Sequence, residues 1–193
     1  MKQQFTSKNT SINTKRLPTI YSKLNLERLR DKTIFDYGSG KIETVRIIRE
    51  KLEAYDIDYI PYDIYNLSNA DNCYALERRK EADVYICSNV LNVIKEDDIV
   101  QMIIDEIVQL SNTKPYFFKI YEGNKSEVGK QTKKDCWQRN QKTKDYLQQF
   151  DFGKISTSIV YKGFITNEKG KELLKWLKNG YIILLEIVAM NYW

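Results

Sequence analysis

Histidine is absent from the 193 residues of this chain. Imidazole metal sites, Ser-His-Asp triads and Cys-His nucleophile pairs are therefore excluded. Cysteine is scarce: Cys73, Cys87 and Cys136 are odd in number and scattered, with no CxxC pair. Neither a disulfide framework nor a zinc site is expected from them, no metal is called for, and a reducing cytoplasm is the compartment that fits. Long apolar runs are missing too. The longest, Tyr181 to Met190, is too short to span a bilayer and carries Glu186, so it reads as a buried segment and no membrane partner is expected. The opening stretch, MKQQFTSKNTSINTKR, has no apolar h-region and is no secretory signal; residues 1–14 read as a loose polar arm. A large charge excess is also lacking. The 31 basic against 26 acidic residues leave +5, compatible with an anionic partner and equally common in ordinary soluble proteins. The length suits one domain with a full core, residues 15–193, and is too short for two sizeable ones.

Glycine is sparse at eight residues, and two of the eight, Gly38 and Gly40, fall in the stretch TIFDYGSGK from Thr33 to Lys41. Thr33, Ile34 and Phe35 suit a buried strand, the two glycines allow backbone that a Cβ would hinder, and Val45, Ile48 and Leu52 recur at helical spacing. The unit reads as strand, glycine turn and helix, which puts a ligand against the strand's carboxyl end. Its DxGxG pattern is not the dinucleotide fingerprint GxGxxG and lacks the lysine and hydroxyl of the phosphate-cradling loop. Asp36 at the strand end suits a ligand bearing hydroxyls or positive charge better than a pyrophosphate. By itself the pattern is equally an ordinary tight turn.

This turn resembles motif I of the class I methyltransferases that use S-adenosyl-L-methionine (SAM), many of which carry a third glycine where Ile42 stands here. The resemblance implies a Rossmann-like α/β fold, a mostly parallel seven-stranded sheet flanked by helices and ending in an antiparallel hairpin. It assigns Asp36, Tyr37, Gly38, Ser39 and Gly40 to the cofactor. A second strand, Ile57 to Tyr62, ends at Asp63, and a carboxylate there can accept both hydrogens of a vicinal diol. The resemblance gives Asp63 the SAM ribose, with Ile64 or Tyr65 beside the adenine and Asp71 or Asn72 near its amino group; as residues alone, Asp71 and Asn72 read as caps.

A third strand, Ala82 to Cys87, runs into SNVLNVI, which looks like motif IV of that family but not like the [DNS]PP[YF] signature of enzymes that methylate exocyclic amines of DNA. By resemblance Ser88 and Asn89 lie at the methyl donor. Asn89 and Asn92 offer donors and acceptors that would orient a substrate, or else cap the next helix. That helix spans about Glu96 to Leu110, with Ile99, Met102, Ile103, Ile107 and Leu110 on one face. Pro115 to Tyr121 reads as a strand. If a base is needed, Tyr65, Asp71, Glu122 or a lysine is available; Asn89, Asn92 and Glu122 are the catalytic candidates.

Lys125 to Lys144 then holds seven basic residues against two acidic ones, with Trp137 embedded, a composition suited to phosphate contact and base stacking or to a solvated helix with Trp137 in the core. Thr132 and Asp135 form a TxxD capping signal for a helix to Phe150. The segment resembles the GxxTxxxxWQxNxKTxxYL block of a group of phage and bacterial methyltransferases, some beside DNA phosphorothioation systems. That likeness places Thr132, Trp137, Gln138 and Asn140 at the mouth of the active site, and Lys133 and Lys134 of the basic run join Trp137, Gln138 and Asn140 as the substrate-binding candidates. Leu17, Ile20, Tyr21, Leu24 and Leu29 predict a helix from Pro18; Ile155 to Tyr161 predicts a strand, Glu168 to Lys178 a helix and Tyr181 to Ala189 a final strand. Taken together, the resemblances imply in-line methyl transfer from SAM, and the basic segment makes a nucleic acid or nucleotide the leading acceptor. The alternatives are a small-molecule or protein methyltransferase, a SAM-destroying enzyme, or an inert protein that binds SAM or nucleic acid.

Overall fold

The computed structural model of the chain describes residues 3–10, 16–112, 114–147, 153–156 and 159–162. The first strand, β1 (Thr33–Tyr37), sends Ile34 and Asp36 to one face and Phe35 and Tyr37 to the other, as a strand's twofold alternation requires. The helix α1 (Ile42–Glu53) follows the glycine turn directly and buries Val45, Ile48 and Leu52, each worth about 1.5–3 kcal/mol of apolar burial. Next come β2 (Asp58–Tyr62) and α2 (Asn69–Arg78), the latter capped by the Ser68 hydroxyl accepting from the Asp71 N–H. β3 (Val84–Ser88) leads through a 3-10 turn, Leu91–Val93, into α3 (Asp97–Ser111). β4 (Tyr116–Lys119), the short strands β5 (Lys130–Lys133) and β6 (Cys136–Gln138), a single helical turn α4 (Thr143–Tyr146), β7 (Gly153–Ser156) and β8 (Ile159–Lys162) complete the described elements.

The main sheet runs in the order β2-β1-β3-β4-β8-β7, with β2, β1, β3 and β4 mutually parallel and β8 antiparallel to both its neighbours, β4 and β7. It is a mostly parallel sheet covered on both faces. Ile34 packs with α1 and with Ile20, Tyr21 and Leu24 of the N-terminal segment. On the opposite face Phe35 packs with Ala75 of α2 and with Ile103, Ile104 and Ile107 of α3. Near-continuous apolar strands such as β3, buried at four of its five positions, are what such two-sided cover demands.

Four expectations are corrected. Six strands stand in the sheet among the described residues, not seven; the expected helix Glu168 to Lys178 and final strand Tyr181 to Ala189 lie outside those residues. Ile155 to Tyr161 is not one strand but parts of two, β7 and β8, and these make the antiparallel end of the sheet. No α-helix follows Pro18: the chain makes successive turns and one 3-10 helix, Leu26–Leu29, because neighbouring Ile20 and Tyr21 are both buried and the Tyr21 hydroxyl is drawn to Asp36. The basic helix from Thr132 is a hairpin instead, β5 paired antiparallel with β6. Asp135 sits in its turn at φ +61°, and its carboxylate accepts from the Thr6 N–H and hydroxyl rather than from a helix end. Residues 3–10 thus lie against this hairpin, with Ser7 N donating to the Asp135 carbonyl at 2.8 Å and the Ser7 hydroxyl to the Val93 carbonyl at 3.0 Å.

Candidate functional site

From β1 the chain passes to β2 on one side and then crosses to β3 on the other, so the connections diverge at the carboxyl ends of β1 and β3. A crevice forms at such a switch point. Here it is a cavity of about 1030 Å³. Its floor is Asp36 to Gly40, Asp63 to Asn66 and Ser88 to Val90, and its outer walls are residues of the N-terminal segment and of the β5–β6 hairpin.

Gly38 and Gly40 have φ of +79° and +84°, backbone that side chains strain to adopt. Gly38 N and Ser39 N both donate to the Tyr62 carbonyl, at 2.7 and 3.1 Å, tying the turn to the end of β2. A Cβ on Gly38 would lie 2.2 Å from Cγ2 of Val90. Gly38→Ala is therefore expected to cost about 2 kcal/mol, the sum of left-handed strain and overpacking. In urea unfolding, adding Val90→Ala should return the steric part and leave the backbone part.

Asp63 is 9% exposed and crosses the crevice to the same turn. Its Oδ2 accepts from Gly40 N at 3.0 Å, and its Oδ1 accepts from the backbone of Tyr65 and Asn66 and from Nδ2 of Asn66. The amide of Asn72 brackets the Asp63 backbone, Oδ1 accepting from its N–H and Nδ2 donating to its carbonyl, both at 3.0 Å. Asn72 is thus a brace for Asp63 and does not line the cavity; Asp71 does not line it either and caps α2 with Ser68. Ile64, 54% exposed, and Tyr65 do line it.

Asp36 faces the apolar layer under α1, as its alternation with Phe35 requires, and is 2% exposed. Its Oδ2 accepts from the hydroxyls of Tyr21 at 2.6 Å and Tyr59 at 2.8 Å. Burial pushes its pKa from 3.8 up to about 6, against the pull of the two tyrosines and with help from Asp63. Among the described residues its Oδ1 has no partner, nor have the buried hydroxyls of Ser39 and Thr44, which line the same cavity. Three such atoms cluster around one glycine turn, where an unpaired buried polar group is costly. Tyr37 lines the wall beyond, with its hydroxyl 3.5 Å from Glu106.

Comparison with protein-family models, with curated proteins and with solved structures finds no match.

At the end of β3, Ser88, Asn89 and Asn92 all line the cavity, Asn89 at φ +59° with its N–H on the Lys119 carbonyl. Asn92 is buried against β6, where its Nδ2 donates to Oε1 of Gln138 at 3.2 Å. Glu122 stands outside the cavity. Its Oε1 accepts from Thr143 N at 2.8 Å and its Oε2 pairs with Lys125 at 2.9 Å. Burial would raise its pKa, but these contacts outweigh it and hold the carboxyl below its usual value.

Of the expected substrate residues, Lys133, Trp137, Gln138 and Asn140 line the cavity and Lys134 does not. Trp137 is stacked on Phe5 with centroids 5.4 Å apart, and a Cβ on Gly129 would lie 2.4 Å from its Cζ2. Phe5 thus occupies one face of this ring. Asn140 holds the loop beside it, donating to the Val128 carbonyl at 2.9 Å. Among the described residues no group of three His, Cys, Asp or Glu could hold a metal ion, and no helix is long and apolar enough to cross a membrane.

Sequence reasoning missed Tyr59 and Thr44, and it gave Tyr21 only a place on a helix. The parity of β1 was the available signal: a carboxylate sharing a face with Ile34 must be buried, and a buried carboxylate needs donors. Nothing local marked Thr6, Ser7 and Thr10 as cavity residues.

Proposed function

We propose that this chain binds SAM and transfers its methyl group to a nucleic acid or nucleotide. One observation carries the reading: the carboxylates of Asp36 and Asp63, from neighbouring parallel strands, meet in one crevice with two left-handed glycines between them. The residues fit the cofactor. Asp63 offers the remaining acceptor capacity of Oδ2 to a diol, and the unpaired atoms of Asp36, Ser39 and Thr44 match the charged amino-acid end. The antiparallel β7–β8 end of the sheet is also what the resemblance to class I methyltransferases implies.

When bound, SAM supplies an already activated sulfonium methyl, so alignment is the main demand on the protein. This chain's residues supply it by holding the turn, the end of β3 and the hairpin around one space, with the N-terminal segment covering it. The carboxylates lining that space are Asp36 and Asp63 alone among the described residues, and both are engaged with the protein, so the reading asks no carboxylate base of the chain. Arg16, Lys130 and Lys133 line the outer part and suit a phosphate-bearing acceptor.

Calorimetry with S-adenosylhomocysteine (SAH) tests the cofactor half: saturable binding is expected, and no heat with either SAH or SAM would end the reading. For the acceptor half, single-stranded DNA and RNA should bind with marked salt dependence. Replacing Lys130 and Lys133 by glutamine should flatten the log–log slope by about 1.4. Binding indifferent to salt would leave a small-molecule or protein acceptor.

A further inference from the structure

Phe5 is buried, yet among the described residues it belongs to neither of the two apolar clusters that pack the faces of the sheet. Its aromatic partner is Trp137, which it covers at an interplanar angle of 25°. The rest of residues 3–10 is held by hydrogen bonds. Those of Gln4 are exposed: its N–H donates to Oε1 of Glu96 at 2.9 Å, and its Oε1 accepts from Lys95 Nζ at 2.8 Å. Thr6 N and Ser7 N donate to the Asp135 carboxylate and carbonyl. Water replaces bonds near the surface at little net cost, so release of this strap leaves the core closed. The indole is fixed independently of it: Trp137 pairs with Gln131 across the hairpin and packs against Gly129.

A flat ring stacked on an indole beside cations is an arrangement that a nucleic acid can take over. Lys95 Nζ stands 5.3 Å from the Trp137 centroid and 5.7 Å from that of Phe5, and Trp137, Lys130 and Lys133 line one cavity. Stacking uses a face that every base has, while the lysines suit the phosphates. A base paired within a duplex keeps its faces inside the stack, so a lone indole selects an unpaired one. Gln3, Thr6, Ser7 and Thr10 line the same cavity, and the strap is part of the wall that such a ligand meets. We propose that the face of Trp137 under Phe5 is a stacking site for an unpaired base of single-stranded nucleic acid, with Phe5 as its intramolecular competitor. The inference rests on the nucleic-acid half of the proposed function and names where that acceptor first engages. Binding exchanges one stacked ring for another and frees Lys95 from Gln4 for a phosphate.

The test uses full-length protein in excess SAH and a fluorescein-labelled deoxythymidine oligomer of about eight nucleotides, within the span of one single-strand site. Phe5→Ala removes the competing ring and should tighten binding about fivefold at fixed salt, the scale of one aromatic pair. Trp137→Leu should weaken binding about tenfold, and in that background Phe5→Ala should bring no gain. Hydrogen exchange reads the strap in the native protein: the amides of Thr6 and Ser7, both bonded to Asp135, should exchange about tenfold faster with the oligomer bound. Should Trp137→Leu fail to fold by circular dichroism, Phe5→Ala and the native exchange rates carry the test. Unchanged or weaker binding by Phe5→Ala, a gain that survives Trp137→Leu, or amides still protected in the bound state overturns the inference while oligomer binding, and the proposed function, stand. No oligomer binding by any variant removes the nucleic-acid half of that function and this inference with it, whereas calorimetry with SAH judges the cofactor half alone.

Discussion

Asp63→Ala loses SAH binding by roughly tenfold to a hundredfold and destabilises the free protein by about 2–4 kcal/mol, because the side chain serves both the ligand and the turn. The ligand half follows from one charge-assisted hydrogen bond from a diol to the remaining acceptor site of Oδ2, worth about 1.5–3 kcal/mol. The folding half follows from what Asp63 already holds. Gly40 N is a buried donor with the carboxylate as its partner, and the N–H groups of Tyr65 and Asn66 depend on the other oxygen. The latter two lie nearer solvent and can turn to water, which keeps the estimate below the cost of three buried orphans. Asp63→Asn separates the halves: its one carbonyl oxygen can still serve the loop or Gly40, so urea unfolding should show about half the loss while calorimetry shows nearly the whole loss of SAH binding. An Asp63→Ala protein that binds SAH as the native one does would remove the ribose assignment.

Asp36 gives the second large effect, and it appears against pH. Its pKa is raised by burial from 3.8 to about 6, so between those values the unfolded chain is ionised while the folded chain holds a proton. Below about pH 4 both states are neutral and the penalty is absent; it grows as pH rises and is complete above about pH 6, where it reaches about 3 kcal/mol. The contribution of this one residue therefore falls with rising pH. Asp36→Asn abolishes that decline and should raise the melting temperature of the free protein at pH 7, since an amide oxygen still accepts from Tyr21 and Tyr59. A cationic ligand beside Oδ1 acts oppositely, favouring the carboxylate, so SAM and SAH should bind more tightly as pH rises from 5 to 7 with release of a proton. Calorimetry in buffers of different ionisation enthalpy measures that proton. Identical pH profiles for native and Asp36→Asn would show that the buried carboxylate carries no such charge cost.

The elements legible in the sequence are those whose period and neighbours agree. β1, α1 and β2 were readable because a short apolar run, two glycines and three apolar residues at helical spacing all ask for the same local backbone. α3 was readable for the same reason, although Met102, placed by its period on the packed face, is 47% exposed and lines the cavity. The candidate site was legible where its groups sit in the glycine turn, at Gly38 and Gly40, or directly after a strand, at Asp63.

The sequence alone determined a strand–turn–helix start, a second carboxylate one passage later, and the exclusion of histidine chemistry, because each depends on residues adjacent in the chain or simply on composition. Only the tertiary structure decided that Thr132 to Gln138 is a hairpin: Asp135 satisfies its carboxylate on Thr6, 129 positions away, and a capping signal cannot foresee a better donor at that distance. It likewise decided that Asp36 is buried on two tyrosines, and that Asn92 donates to Gln138. Hydrogen bonds between groups far apart in sequence compete with local preference once desolvation makes an unpaired polar atom costly, and their outcome is set by the packed fold.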